Sequence, residues 1–332
     1  MSIPFSVLEL ATVSEGATPG DAMRNGLTLA KAVEDFGYNR FWLAEHHNMI
    51  SIASMATSVL IGYIAGGTER IRVGSGGIML PNHSPLIVAE QFGTLGVLYP
   101  NRIDLGLGRA PGTDQITAQA IRSDRMQAQH SFPKDIELIQ KYFSTDNTKA
   151  AVRATVAEGV DVPIWVLGSS TDSAHLAAAK GLPYAFASHF APGQLMEALS
   201  IYHNNFEPSA YLKEPFTMAA INVIAADTNE KAEALSTSLI KMFLGILTDQ
   251  RNYMQPPEPM TNDLRELSQN PHFQRMLKYS FIGDKETVTE KTKHFLQTTQ
   301  VNELMVVSNM YDVQDRITSY RYFAEIMNTL NT

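Results

Sequence analysis

The feature that most limits this sequence is an alternation. Eight short apolar or β-branched runs, at 3–10, 40–44, 71–77, 103–107, 164–167, 184–187, 216–225 and 303–307, are separated by polar or glycine-rich loops and longer stretches of helical spacing. Strands that alternate with helices pair in parallel, because each helical crossover returns the chain to the same edge. Ile164-Trp165-Val166-Leu167 is apolar on consecutive residues, as expected when both faces of a sheet are covered. Six parallel strands suit an open sheet, whereas eight suit a closed (β/α)8 TIM barrel of roughly 250 residues plus insertions. The expected fold is therefore α/β, a single (β/α)8 TIM-barrel domain spanning 1–332. Two segments read as insertions: 144–162, and 248–282 in the C-terminal half, the latter rich in Pro, Asn and Gln.

Helix starts are written in capping chemistry. Ser84-Pro85 offers a capping hydroxyl and a proline whose missing N–H costs nothing at the first helical position. Asp227 or Thr228 precedes 231–247, Asp284 precedes 285–300, and Asp312 precedes the last helix.

Composition narrows the function. Among 332 residues, 44% are hydrophobic and 18% charged, which excludes a disordered or fibrous chain. The absence of cysteine removes disulfides, thiolate metal sites and a cysteine nucleophile. Thirty-four acids against 26 bases leave a net charge of −8 with no basic cluster, which argues against nucleic acid or an anionic membrane as partner. The longest apolar stretch, 59–65, is too short to cross a bilayer, and the first residues lack the basic and apolar regions of a signal peptide. A cytoplasmic location is expected.

In a barrel the chemistry belongs at the C-terminal ends of strands. The second strand ends Glu45-His46-His47-Asn48; imidazole suits proton transfer near neutral pH, and neighbouring strand residues face opposite ways, so one histidine of the pair can face the mouth while the other packs beneath a loop. A metal pair on one side would need His-x-His, which is absent. The third strand ends Gly74-Ser75-Gly76-Gly77, which marks either a bulge or a flat surface for a planar ligand. The fourth ends Gly106-Leu107-Gly108-Arg109-Ala110-Pro111-Gly112. Pro111 stands where a dinucleotide loop needs glycine, and Arg109 is a plausible anion clamp. Arg102 and Asp104, near the start of that strand, are expected to form a structural ion pair. After the fifth strand, Gly168-Ser169-Ser170-Thr171-Asp172-Ser173 before a helical stretch at 174–180 reads alone equally as a phosphate cradle or as ordinary capping, and Arg109 at a strand end tips it toward the cradle. The sixth ends Ala187-Ser188-His189, which brings another histidine to the mouth.

Five segments in order then carry a resemblance over most of the chain: Ala44-Glu45-His46-His47-Asn48, Ser75-Gly76-Gly77-Ile78-Met79-Leu80-Pro81, Asn101-Arg102-Ile103-Asp104-Leu105-Gly106-Leu107-Gly108-Arg109, Gly181-Leu182-Pro183, and Phe281-Ile282-Gly283-Asp284-Lys285-Glu286-Thr287-Val288. Together they resemble the bacterial luciferase-like flavin monooxygenase family, whose members adopt a (β/α)8 barrel. The resemblance implies that reduced FMN binds at the barrel mouth as a co-substrate with O2 and that a small organic substrate is oxidised. It implies His46 as the catalytic histidine with the flavin-contacting acid Glu45 before it, and a non-proline cis peptide at Gly76-Gly77 beneath the ring. It further implies phosphate binding by Arg109, Ser170 and Ser173. Ser169, where luciferase carries glutamate, joins the cofactor set, and His189, where luciferase has an aromatic residue, joins His47 in the substrate pocket. The segment 248–280 is the expected lid. A separate NAD(P)H-dependent flavin reductase and a homodimer are the implied partners. Relatives that transfer hydride with a deazaflavin, a metal-dependent hydrolase built on Glu45-His46-His47, and a flavin-binding protein without turnover are the alternatives.

Overall fold

The computed structural model describes residues 2–332, the side chains of Arg125 and Met126 excepted. Ten strands form one sheet: β1 (Phe5–Glu9), β2 (Arg40–Leu43), β3 (Arg72–Ser75), β4 (Ile78–Met79), β5 (Ile103–Gly108), β6 (Ile164–Gly168), β7 (Tyr184–Phe186), β8 (Thr217–Ala225), β9 (Ser280–Gly283) and β10 (Glu303–Val307). All pairs are parallel. The sheet closes where Phe5 of β1 sits opposite Leu304 of β10, and Glu303–Val307 in turn pair with Met218–Asn222 of β8. Every one of the eight expected runs is a barrel stave, and the (β/α)8 barrel is the observed fold. The third run breaks at Gly76-Gly77, after which β4 continues along β5. Beyond the eight runs, besides the short β4, the structure adds β9, which pairs with the far end of β8 beyond the closed barrel. Its four residues are too few to stand out from the insertion before it.

Continuous apolar runs arise because each strand faces two cores. Phe5, Val7, Phe41, Leu43, Val166, Leu304 and Val306 pack outward against the helices. Leu8, Trp42, Trp165, Met218 and Met305 alternate with them and fill the barrel. Trp42 and Trp165 meet edge to face with centroids 5.2 Å apart, and Trp165 meets Phe216 in the same way. Below these rings, at the strand starts, the interior is ionic. Arg40 bridges Asp104 (2.7 Å) and Glu303 (3.1 Å), Arg72 reaches Asp104 (2.6 Å), and the indole N–H of Trp42 donates to Asp104 (3.1 Å). The Arg40 guanidinium also stacks 4.9 Å over Trp165.

The expected Arg102–Asp104 pair does not form. Arg102 precedes β5, outside the strand alternation, and donates to the carbonyls of Thr68 (3.0 Å), Ala65 (3.2 Å) and Ile71 (3.0 Å) around the end of the helix Thr57–Gly67. The helix starts follow the capping reading. Thr228 accepts from Lys231 N–H, Asp284 from Thr287 N–H, and Asp312 from Gln314 N–H. Ser84 stands at its N-cap with Pro85 following, although its hydroxyl makes no capping bond. Among the described residues, no helix is long and apolar enough to cross a membrane.

Candidate functional site

A cavity of about 910 Å³ opens at the C-terminal ends of the strands. Its floor is the aromatic and methionine layer of the barrel, with Trp42, Met218 and Met305 among the lining residues. Its walls come from the loops. His46 follows β2, Gly76 lies between β3 and β4, Arg109 ends β5, Ser169, Ser170 and Ser173 follow β6, and His189 follows β7. Residues 248–255, except 249 and 254, close one side. That segment is tied down by hydrogen bonds of Met254 N–H to Val13 O (3.0 Å) and of Glu15 N–H to Met254 O (2.9 Å).

His46 Nδ1 lies 3.3 Å from Gly112 O. A carbonyl can only accept, so Nδ1 carries the proton and Nε2 keeps a lone pair. Burial lowers the His46 pKa below its ordinary value; the Gly112 carbonyl and the Glu45 carboxylate oppose this, and His47 and Arg251 add to it. The resting group is neutral imidazole. Gly112 is required here by two independent constraints. Its φ is +65°, and a Cβ would lie 2.5 Å from Glu45 O.

The resemblance placed Glu45 against the ring, but the structure turns its carboxylate away from the cavity. It is 1% exposed and does not border the open space. It receives His47 Nε2 (2.8 Å), His83 Nε2 (2.9 Å), Met79 N–H (3.0 Å) and Asn82 Nδ2 (3.1 Å). Burial would raise its pKa, but the hydrogen bonds from the two imidazoles, the nearby His83 charge and the Met79 N–H hold it down to about 2. His47 is consumed in this cluster and does not line the cavity either. Adjacent residues leaving a strand point to opposite sides, so His46 faces the cavity while Glu45 and His47 bind the loops behind it. His83 had no motif to announce it.

The peptide between Gly76 and Gly77 is cis. Gly76 borders the cavity; Gly77 instead faces β5, where a Cβ would come within 2.6 Å of Gly106 O. Gly74, the first glycine of the group, abuts Asp104 inside the barrel.

Arg109 pairs with Asp172 at 3.0 Å, both side chains half-exposed or more. Beside them the helix Thr171–Ala179 begins at Ser170, whose side chain makes no capping bond. The hydroxyls of Ser169 and Ser170 have no partner among the described residues, whereas Ser173 Oγ donates to Ser170 O (2.6 Å) and contacts the Tyr184 hydroxyl (2.9 Å). Uncapped N–H groups, the positive end of the helix dipole, two free hydroxyls and a guanidinium thus meet at one rim of the cavity. That donor set fits a phosphate.

His189 is nearly buried, and its Nδ1 has no partner among the described residues. Burial, with a smaller contribution from His46, lowers its pKa to about 3, so it too is a neutral ring. Arg251 and Asn309 also line the cavity; neither sits in a motif.

A barrel with this mouth belongs to a recognised class: residues 3–321 match the family described as luciferase-like monooxygenase, and the chain is a member of that family. Membership makes it an oxidoreductase of the monooxygenase type. A luciferase-like monooxygenase of Escherichia coli is 45% identical, covering 99% of this chain and 98% of its own. The N-acetyl-S-alkylcysteine monooxygenase of Bacillus subtilis is 32% identical, covering 97% and 98%. The crystal structure of apo-MsnO8 superposes with a TM-score of 0.89 at 33% identity, covering 98% of each chain. At 16% identity the fold alone is shared with the oxygenating constituent of 3,6-diketocamphane monooxygenase in complex with FMN (TM-score 0.72) and with an F420-dependent secondary alcohol dehydrogenase (TM-score 0.69), each match covering 98% of this chain and 97% or more of the other.

Proposed function

We propose that this protein uses reduced FMN and O2 to oxidise a small organic substrate at the mouth of its barrel. The observation that carries the reading is the rim where Arg109, the uncapped start of the helix Thr171–Ala179 and the free Ser169 and Ser170 hydroxyls converge beside a mainly apolar cavity. Such a rim suits the phosphate of FMN, with the flat ring extending inward over Gly76. Asp172 competes for Arg109, so an incoming phosphate takes over part of that guanidinium.

Bound reduced FMN supplies, with O2, the oxidising chemistry. The chain supplies the rest. His46, neutral and with Nε2 unprotonated, accepts and returns a proton at the reacting centre. Gly112 O fixes its tautomer, and the Glu45 cluster holds the loop that carries it. Segment 248–280 serves as the lid; its residues 248, 250–253, 255 and 276 border the cavity, where exclusion of water protects a reactive oxidant. The named relative acts on an N-acetyl-S-alkylcysteine, which is in keeping with a small organic substrate.

Within the same reading, a separate NAD(P)H-dependent reductase delivers the reduced flavin, and the chain works in the cytoplasm as a homodimer. Val59, Tyr63, Ile87, Val97 and Leu98, exposed on the helices Thr57–Gly67 and Pro85–Leu98, support the pairing. The test is spectral titration of the purified protein with oxidised FMN, reduced FMN and riboflavin, followed by O2 consumption. Expected is FMN bound more tightly than riboflavin, and O2 uptake dependent on reduced FMN. Equal affinity for FMN and riboflavin would remove the reading.

A further inference from the structure

The cavity holds two guanidinium groups, and one phosphate occupies only one of them. Arg109 stands beside the uncapped helix start. Arg251 arrives separately, from the irregular segment after the helix Asn229–Leu247. It borders both the main cavity and a smaller depression of about 420 Å³ that it shares with Met49 and Ile50. Its position is set from both sides: Gln250 N–H donates to Gly245 O (2.9 Å), and Met254 is bonded through its backbone to Val13 and Glu15. Three residues separate the pinned points, which leaves little freedom to swing away.

The head group of Arg251 is under-used. Its side chain is 34% exposed and, among the described residues, its one ion pair is with Asp249 at 3.7 Å, a carboxylate 89% exposed to water. An exposed pair at that distance contributes little. Arg251, with donors not otherwise engaged among the described residues, therefore lines a space bounded by Met49, Met242, Phe243, Ile52 and Met276. The charge is close enough to act on His46, where it reinforces the larger effect of burial. A cation lining the same cavity as His46, among apolar walls, matches a ligand with one anionic end and an apolar body.

We propose that Arg251 reads the substrate: the molecule oxidised is an organic acid whose carboxylate pairs with Arg251 while its apolar part lies along the methionine-lined wall. This rests on the monooxygenase reading above for the word substrate, but the binding claim is testable without flavin.

The experiment is calorimetric titration of the whole protein, free of flavin, with sodium octanoate and with methyl octanoate, which share the alkyl chain and differ in the head, a charged carboxylate against a neutral ester. Octanoate is expected to bind the native protein more tightly by roughly tenfold to a hundredfold, the range for a hydrogen bond to a charged group. Arg251→Met should abolish the preference, Arg251→Lys should keep part of it, and Asp249→Asn should strengthen it by removing the competing carboxylate. Equal affinity for the two probes, no binding of either, or a preference that survives Arg251→Met would overturn the proposal. FMN and riboflavin are titrated into the same variants. A preference for FMN that persists in Arg251→Met is expected; its loss would assign Arg251 to the cofactor phosphate and overturn the proposal as well. A native protein that selects octanoate but ignores FMN would refute the monooxygenase reading and leave the carboxylate site standing.

Discussion

Replacing Glu45 by glutamine separates a clamp from a cofactor contact. The side chain is 1% exposed and gathers two imidazoles, one amide nitrogen and one backbone N–H from the 45–48 and 79–83 loops. Glutamine keeps its shape and removes its charge. A carboxyl group held at about 2 instead of its ordinary 4.5 contributes about 3 kcal/mol of stability at neutral pH. The direction follows from the depressed folded value: the contribution is fully present above about pH 4.5 and is lost as pH falls through about 2. Denaturant unfolding of the native protein and Glu45→Gln at a series of pH values should therefore show a gap of about 3 kcal/mol at pH 7 that shrinks to about 1.5 kcal/mol near pH 3. Since the carboxylate does not border the cavity, FMN affinity measured above pH 6 should change by less than about threefold, under 1 kcal/mol. A gap that stays constant with pH would refute the electrostatic account. A large loss of FMN affinity without destabilisation would refute the placement.

Further outcomes follow from the same geometry. His46→Ala should leave FMN binding near native and lower turnover by about 10²–10⁴-fold, as loss of an acid–base group does. In the native protein, turnover should rise with pH as His46 deprotonates, with a midpoint below 6.5 because burial disfavours its charged form; a midpoint above 6.5 would contradict this. Arg109→Ala should weaken FMN by roughly tenfold or more and leave riboflavin unchanged, as read by fluorescence quenching. Gly77→Ala should lower the melting temperature more than Gly76→Ala, because the new Cβ meets the Gly106 carbonyl oxygen at 2.6 Å in the first case and the movable Leu8 Cδ1 at 2.5 Å in the second.

The barrel was legible because a stave covered on both faces must be apolar at consecutive positions, and 164–167 and 216–225 have that pattern. The site was legible where chemistry sits on strand ends: His46, Gly76, Arg109, the serines after β6 and His189 all reach the cavity. What was misplaced was direction. Glu45 and His47 are neighbours of His46 in sequence, yet the backbone turns them to the other side, where His83 awaits from a loop with no spacing signal. The sequence pairs Arg102 with Asp104, but Arg102 turns to the carbonyls of Ala65, Thr68 and Ile71 while Asp104 faces Arg40 and Arg72 inside the barrel. Arg251 could not be read at all. Its approach depends on the backbone of Met254 meeting that of Val13, a contact across most of the chain that no local pattern encodes.

The charged lattice of Arg40, Asp104, Glu303 and Arg72 has a consequence for traffic. With its lower end stoppered by paired ions and two indoles, the barrel is a cup and not a pipe. The cavity opens at the opposite end, among the loops after the strands.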